Sequence, residues 1–261
     1  MKFCTSLQGN QVAYKTLGLR SQNPLVLLHG FCEDHRIWSP ILPLLEGQSI
    51  ILVDLPGFGA SEIPPQARME AHALAVRAVL NAENIEKCTL LGHSMGGYVA
   101  LEFAAHWPQR LNGICLLHAH PYPDSPERIQ VRKRGIEMIL AGKKDLYVSQ
   151  LFPNLCTPEF AAARPEVLKT LIINGKEQSE QGILSALETM MNRHDHQDTL
   201  SKLRCPVQFI LGEYDTLVPL ETTLPAVLLP DICDLHILAG VAHLGMYEAP
   251  EGVAWGGRMG F

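Results

Sequence analysis

Residues 88–98 read Cys88-Thr89-Leu90-Leu91-Gly92-His93-Ser94-Met95-Gly96-Gly97-Tyr98. The apolar run 88–91 predicts a buried strand, and residues 95–106 predict a helix with Gly96 and Gly97 in its first turn. Between them stands Gly92-His93-Ser94-Met95-Gly96, a G-x-S-x-G that arises by chance in about one chain in ten of this length. The strand–turn–helix setting gives the match its weight. It is the context of a nucleophile elbow, in which a serine on a tight, strained turn is lifted clear of a sheet. Side chains two residues to either side would collide there, so glycine is needed at 92 and 96. The simpler alternative is a serine that caps a helix after a glycine turn.

Similar short apolar runs recur on both sides, at residues 24–28, 50–53, 113–117, 207–211 and 235–238. Runs without alternation suit strands buried on both faces, as in a parallel sheet flanked by helices. Helical segments such as 69–81 lie between them, and residues 2–7 and 11–16 read as a hairpin around Gly9-Asn10. The alternation of strand and helix predicts an open α/β sheet. The pattern breaks between 121 and 201, where helices are expected at 127–140, 144–152, 166–173 and 180–192. This stretch reads as a helical lid (cap) inserted in a core made of 1–120 and 202–261. Its apolar residues, among them Ile136, Ile139, Leu184 and Leu187, are read mostly as helix-packing positions.

The 261 residues carry 21 Lys+Arg against 27 Asp+Glu, a formal net charge of −6, and 47% are apolar. Such a chain can bury a substantial core, and its acidic balance argues against a nucleic-acid partner. The single basic run, Arg132-Lys133-Arg134, reads as a solvated helix face. No apolar run approaches the roughly 18 residues of a membrane span. Met1-Lys2-Phe3-Cys4-Thr5-Ser6 has no apolar secretory core. The seven cysteines are scattered without a CxxC pair, which suits buried thiols in a reducing, cytoplasmic setting.

Three further segments fall where an elbow serine needs help. His29-Gly30-Phe31 follows an apolar strand, and its loop can aim the Phe31 N–H at an acyl oxygen beside the N–H of Met95. Asp54-Leu55-Pro56-Gly57-Phe58-Gly59-Ala60-Ser61 makes a rigid turn after another strand. Late in the chain stand Gly212-Glu213-Tyr214-Asp215 and Val241-Ala242-His243, followed by Glu248-Ala249-Pro250-Glu251. Together with Trp38 and Gly92–Gly97, these segments resemble the α/β-hydrolase superfamily over residues 10 to 250. Within it they are most similar to the lid-bearing carboxylesterase-like group. The resemblance implies a mostly parallel, roughly eight-stranded sheet. In the family order of nucleophile, acid and base, it also implies Ser94, Asp215 and His243.

Glu213 is the competing acid. The strand-end variant of the acid finds no carboxylate in Leu117-His118-Ala119-His120. His29, His93, His118, Met190 and Met191 are candidate pocket residues. His118 with His120, and His194 with His196, have the i, i+2 spacing of a metal pair but no evident third ligand. No metal or cofactor is therefore expected. Glu33 and Asp34 read as polar loop groups, and Cys32 as a candidate reactive thiol. The implied activity is hydrolysis of a small or medium carboxylic ester through an acyl-enzyme. The partner is a small-molecule substrate, acted on by a monomer or homodimer. A serine at 94 argues against relatives with an aspartate nucleophile. Same-triad alternatives are a lactonase, thioesterase, C–C bond hydrolase, haloperoxidase or hydroxynitrile lyase, or a low-turnover ligand-sensing receptor. Four glycines within residues 252–261 argue against a regular final helix. Either the end is altered or truncated, or Trp255 and Phe261 are expected to cover the sheet irregularly.

Overall fold

The computed structural model describes residues 1–18 and 23–258, the last four as backbone. Eight strands form one sheet: β1 (Lys2–Thr5), β2 (Gln11–Leu17), β3 (Leu25–Leu28), β4 (Ile50–Val53), β5 (Cys88–His93), β6 (Leu111–Leu117), β7 (Val207–Gly212) and β8 (Cys233–Leu238). Their order is β1-β2-β4-β3-β5-β6-β7-β8. Only β2 runs antiparallel to its neighbours, and the rest are parallel. Burial explains which strands are plain in the sequence. Leu25-Val26-Leu27-Leu28 and Ile50-Ile51-Leu52-Val53 are buried throughout, as inner parallel strands must be. The edge strand β8 is mostly half-buried, so Cys233 and Asp234 begin it without an apolar signal.

The first helices are α1 (Met69–Ala82), which packs on α2 (Met95–His106), and α2 in turn lies on β3, β5 and β6. Between β6 and β7 come α3 (Pro126–Leu140), α4 (Lys144–Leu151), α5 (Pro158–Ala163), α6 (Pro165–Glu177), α7 (Glu180–Met191) and α8 (Gln197–Lys202). These two strands are neighbours in register, from Ile114↔Val207 to Leu117↔Ile210, so the helices leave and rejoin the sheet between adjacent strands. Gln178 ties them to two loops of the sheet, accepting from Gly59 N–H (2.9 Å) and donating to Asp34 (2.8 Å). Then follow α9 (Leu220–Val227), α10 (Gly245–Glu248) and α11 (Pro250–Arg258).

The last of these corrects the expectation of an irregular end. Pro250 opens α11, Glu251 stands in its first turn, and Val253 and Ala254 are buried. The helix packs against β6 and β7, and this burial outweighs the glycine penalty of roughly 1 kcal/mol per residue. A Cβ on Gly252 would lie 2.6 Å from Leu238, so here a glycine permits close docking. The side chain of Trp255, and Phe261, lie outside the described residues. Among the described residues no helix is long and apolar enough to cross a membrane.

Candidate active site

Ser94 sits between β5 and α2 with φ +50° and ψ −112°, a conformation that L residues adopt only under constraint. The constraint is visible in its neighbours. Ser94 N–H donates to the Leu117 carbonyl (2.9 Å). A Cβ on Gly92 would land on the Gly96 carbonyl, and one on Gly96 would land on the Leu28 carbonyl. Met95, the first helical residue, has an N–H outside the helix's own hydrogen-bond ladder. Phe31, just past β3, lines the same cavity as Ser94.

Asp215 and His243 meet at the ends of β7 and β8. Asp215 Oδ2 accepts from His243 Nδ1 (2.7 Å) and from His118 Nδ1 (3.1 Å). Its Oδ1 accepts from the N–H groups of Leu217 (2.9 Å) and Val218 (3.0 Å). Burial alone would raise this carboxyl, but the charges and hydrogen bonds of His243 and His118 hold it far below the usual carboxylate range. As a carboxylate it only accepts, so Nδ1 of His243 carries hydrogen and a neutral ring presents Nε2 as an acceptor. The main chain of His243 is held too. Its N–H donates to the Leu155 carbonyl (2.9 Å), and its carbonyl accepts from His93 Nε2 (2.9 Å).

His93 and Glu33 form a buried pair. His93 Nδ1 lies 3.1 Å from Glu33 Oε2, which also accepts from Gly30 N–H (2.6 Å). Burial disfavours both charges. Even so, each partner pulls the other into its ionised form, with His93 raised and Glu33 lowered. His93 thus uses both ring nitrogens as donors, joining the loop after β3 to the loop of His243.

The cavity above Ser94 has a volume of about 280 Å³. Ser94, His93 and His243 share its wall with Phe31, Tyr98, Tyr147, Leu155 and Met190, and with Arg128 and Arg132 of α3. Three of the expected pocket residues are elsewhere. His29 donates from Nδ1 to the Gly30 carbonyl (2.8 Å) and accepts at Nε2 from Leu55 N–H (2.9 Å), so it braces two loops. His118, at φ +50°, serves Asp215 and accepts at Nε2 from Gly245 N–H (3.2 Å). Burial lowers its pKa to about 4, and the two hydrogen bonds fit a neutral ring. Met191 is half-buried off the cavity, because successive helical residues point about 100° apart and Met190 takes that face.

The other singled-out groups also have partners of their own. His120 accepts from Tyr122 N–H (3.2 Å) and, among the described residues, shares no hydrogen-bond partner with His118. His196 (3.0 Å) and His194 (3.8 Å) gather on Glu102. Burial pushes the Cys32 thiol well above its ordinary value, which opposes a reactive thiolate. Glu213 is exposed and accepts from Gly240 N–H (2.8 Å), leaving Asp215 as the carboxylate on His243. The ligand-capable atoms of His118, Asp215 and His243 lie within 4.8 Å of one another, a proximity that their hydrogen bonds account for. Arg132 is not part of a solvated face: only Lys133 and Arg134 are exposed, while Arg132 pairs with the buried Asp124.

A model of the α/β-hydrolase fold matches residues 23–171. The biotin biosynthesis bifunctional protein of Cellvibrio japonicus is 30% identical over 239 residues, covering 87% of this chain and 45% of that protein. The chain therefore spans less than half of that relative's length. The 2-hydroxy-6-oxononadienedioate/2-hydroxy-6-oxononatrienedioate hydrolase of Burkholderia vietnamiensis is 26% identical over 266 residues, or 92% of this chain and 87% of that one. Among solved structures, a thermophilic esterase from Thermogutta terrifontis, with malate bound, superposes with a TM-score of 0.91 at 29% identity. The match covers 98% of this chain and 96% of that chain.

Proposed function

The chain belongs to the α/β-hydrolase fold family, and from that premise we propose that it is a serine hydrolase of small or medium carboxylic esters, with Ser94, His243 and Asp215 as its triad. The observation that carries this reading is the 2.7 Å bond from His243 Nδ1 to a buried Asp215, on a cavity whose wall also holds Ser94 at φ +50°. The likeness to the T. terrifontis esterase supports it.

A serine hydroxyl is a weak nucleophile until a base takes its proton. In this reading His243 Nε2 accepts the proton of Ser94 as its oxygen attacks the ester carbonyl. Asp215 keeps the ring in the tautomer that can do so and stabilises the imidazolium. The oxyanion is met by the N–H groups of Phe31 and Met95, each such donor contributing on the order of 10²–10³ in kcat. His243 then protonates the leaving alcohol, and water, deprotonated by the same ring, releases the acid from the acyl-enzyme. The helices between β6 and β7 act as a lid, with Phe31, Tyr147 and Met190 excluding water from the cavity.

Initial rates on p-nitrophenyl esters from acetate to decanoate, with Ser94→Ala as control, test the proposal. A Ser94-dependent optimum at one chain length supports it. Equal hydrolysis by the variant contradicts it. The Burkholderia relative favours a second reading, in which the same residues act on a hydroxy-oxo-dioate; Ser94-dependent turnover of that class with none of simple esters would select it.

A further inference from the structure

Arg128 and Arg132 stand one turn apart on α3, and both line the cavity of Ser94 and His243. Arg132 is engaged with Asp124. That carboxylate is buried and also takes Arg193, whose guanidinium lies 4.0 Å over the Tyr98 ring and donates to the carbonyls of Tyr122 and Met190. Two guanidinium groups therefore hold this one carboxylate, and Arg128 feels its charge only weakly. Among the described residues, none accepts a hydrogen bond from the guanidinium of Arg128, whereas its backbone N–H donates to the Ser125 hydroxyl. Burial, and after it the charge of Arg132, lower its proton affinity, against weaker support from Tyr98 and Asp124. A guanidinium nevertheless stays charged at any working pH.

The rest of the wall does not answer this charge. Glu33 is the acid on the cavity, and it is already matched by His93 and Gly30. Tyr147, Leu151, Leu155 and Met190 are mostly apolar. A fork-shaped cation without a hydrogen-bonded side-chain partner, set beside apolar groups, is how a site fixes the orientation of a planar anion.

We infer that Arg128 is an anion anchor, and that the ester cleaved here carries a carboxylate joined to its scissile carbonyl by an apolar spacer. This rests on the proposed esterase reading and adds the substrate class to it. Ser94 attacks one end of the molecule while Arg128 receives the other bidentately, so the apolar wall contacts the spacer. A cavity of about 280 Å³ suits a short, unbranched spacer.

The test compares monomethyl esters of the unbranched dicarboxylic acids from succinate to suberate with the corresponding dimethyl esters. kcat/KM is measured for the wild type, Arg128→Met and Arg128→Lys. The wild type is expected to prefer the half-ester of one chain length by about tenfold or more, and added salt should shrink that preference. The ratio should fall towards parity in Arg128→Met and survive in part in Arg128→Lys. Wild-type rates equal on both ester classes, or a preference that Arg128→Met retains, would overturn the anchor. Should Arg128→Met fail to fold, the salt dependence and the lysine variant decide. Calorimetric titration of Ser94→Ala with the same esters separates the two claims, because binding needs no turnover. If no ester is hydrolysed, the esterase reading fails, yet tighter, salt-sensitive binding of the half-ester would still uphold the anchor. Equal binding of charged and neutral esters would sink it.

Discussion

Asp215 divides one carboxylate between two imidazoles, and the division sets what each ring can do. His243 receives the shorter bond (2.7 Å) and borders the cavity, whereas His118 (3.1 Å) is fully buried with both nitrogens occupied. Replacing Asp215 with Asn offers His243 an amide that can stabilise the wrong tautomer. Asp215→Asn is expected to lower kcat by on the order of 10³–10⁴ with a much smaller change in KM, as steady-state kinetics on p-nitrophenyl butyrate would measure. Retention of more than a tenth of the rate would contradict the role given to this carboxylate. Ser94 is legible in the sequence because its strained turn demands glycines at fixed spacing. Glu33 with His93, and His118 with Asp215, are not. Those pairs close across 60 and 97 residues and leave no local pattern. The basic run misleads for a periodic reason: helical spacing sets Arg128 and Arg132 on one face and turns Lys133 and Arg134 away from it.

Elements announce themselves in proportion to how completely they are buried. The inner strands β3 and β4 are continuous apolar runs, β7 is one broken by Gln208, and α2 is buried along nearly its whole length. Short helices such as α5 and α8, of six residues each, carry too little periodicity to be seen. The final helix defies local propensity because tertiary packing decides it. How the helices after β6 seat on the sheet is likewise a tertiary matter. Ser179 caps α7 by accepting from Gly182 N–H (3.0 Å), and Gly182 rests on Gly57, at φ +87°. A Cβ on Gly182 would land on the Gly57 carbonyl. Gly182→Ala is therefore expected to destabilise the protein by about 1–3 kcal/mol through overpacking, read as a fall of several degrees in Tm. A helical alanine normally stabilises, so an unchanged or raised Tm would contradict this close seat.

Across the whole molecule, buried titratable groups shape the response to pH. His72 is buried with neither ring nitrogen hydrogen-bonded among the described residues, and its pKa is lowered to about 3 by burial and then by His29. His118 is lowered to about 4. In the unfolded chain both would bind protons near pH 6.5, so between there and about pH 4 the unfolded state holds more protons. Stability should therefore fall as pH drops from 6.5 towards 4. Below that window, the lowered carboxyls of Asp215 and Glu33 extend the loss. The raised His93 acts oppositely, its contribution being present below 6.5 and lost as pH rises through its raised value. Thermal melts from pH 4 to 8 should show this acid fall, and His72→Leu should reduce its slope. An equal slope in that variant would show that His72 does not contribute to the acid fall.

In the proposed mechanism Ser94 is the nucleophile of an acyl-transfer site. Its most direct test is reaction of the wild type and Ser94→Ala with diethyl p-nitrophenyl phosphate, followed by p-nitrophenolate release and peptide mass mapping. One equivalent is expected from the wild type, with the phosphoryl group on Ser94, and no stoichiometric release from the variant. A label on another residue, or an undiminished equivalent from Ser94→Ala, would contradict it.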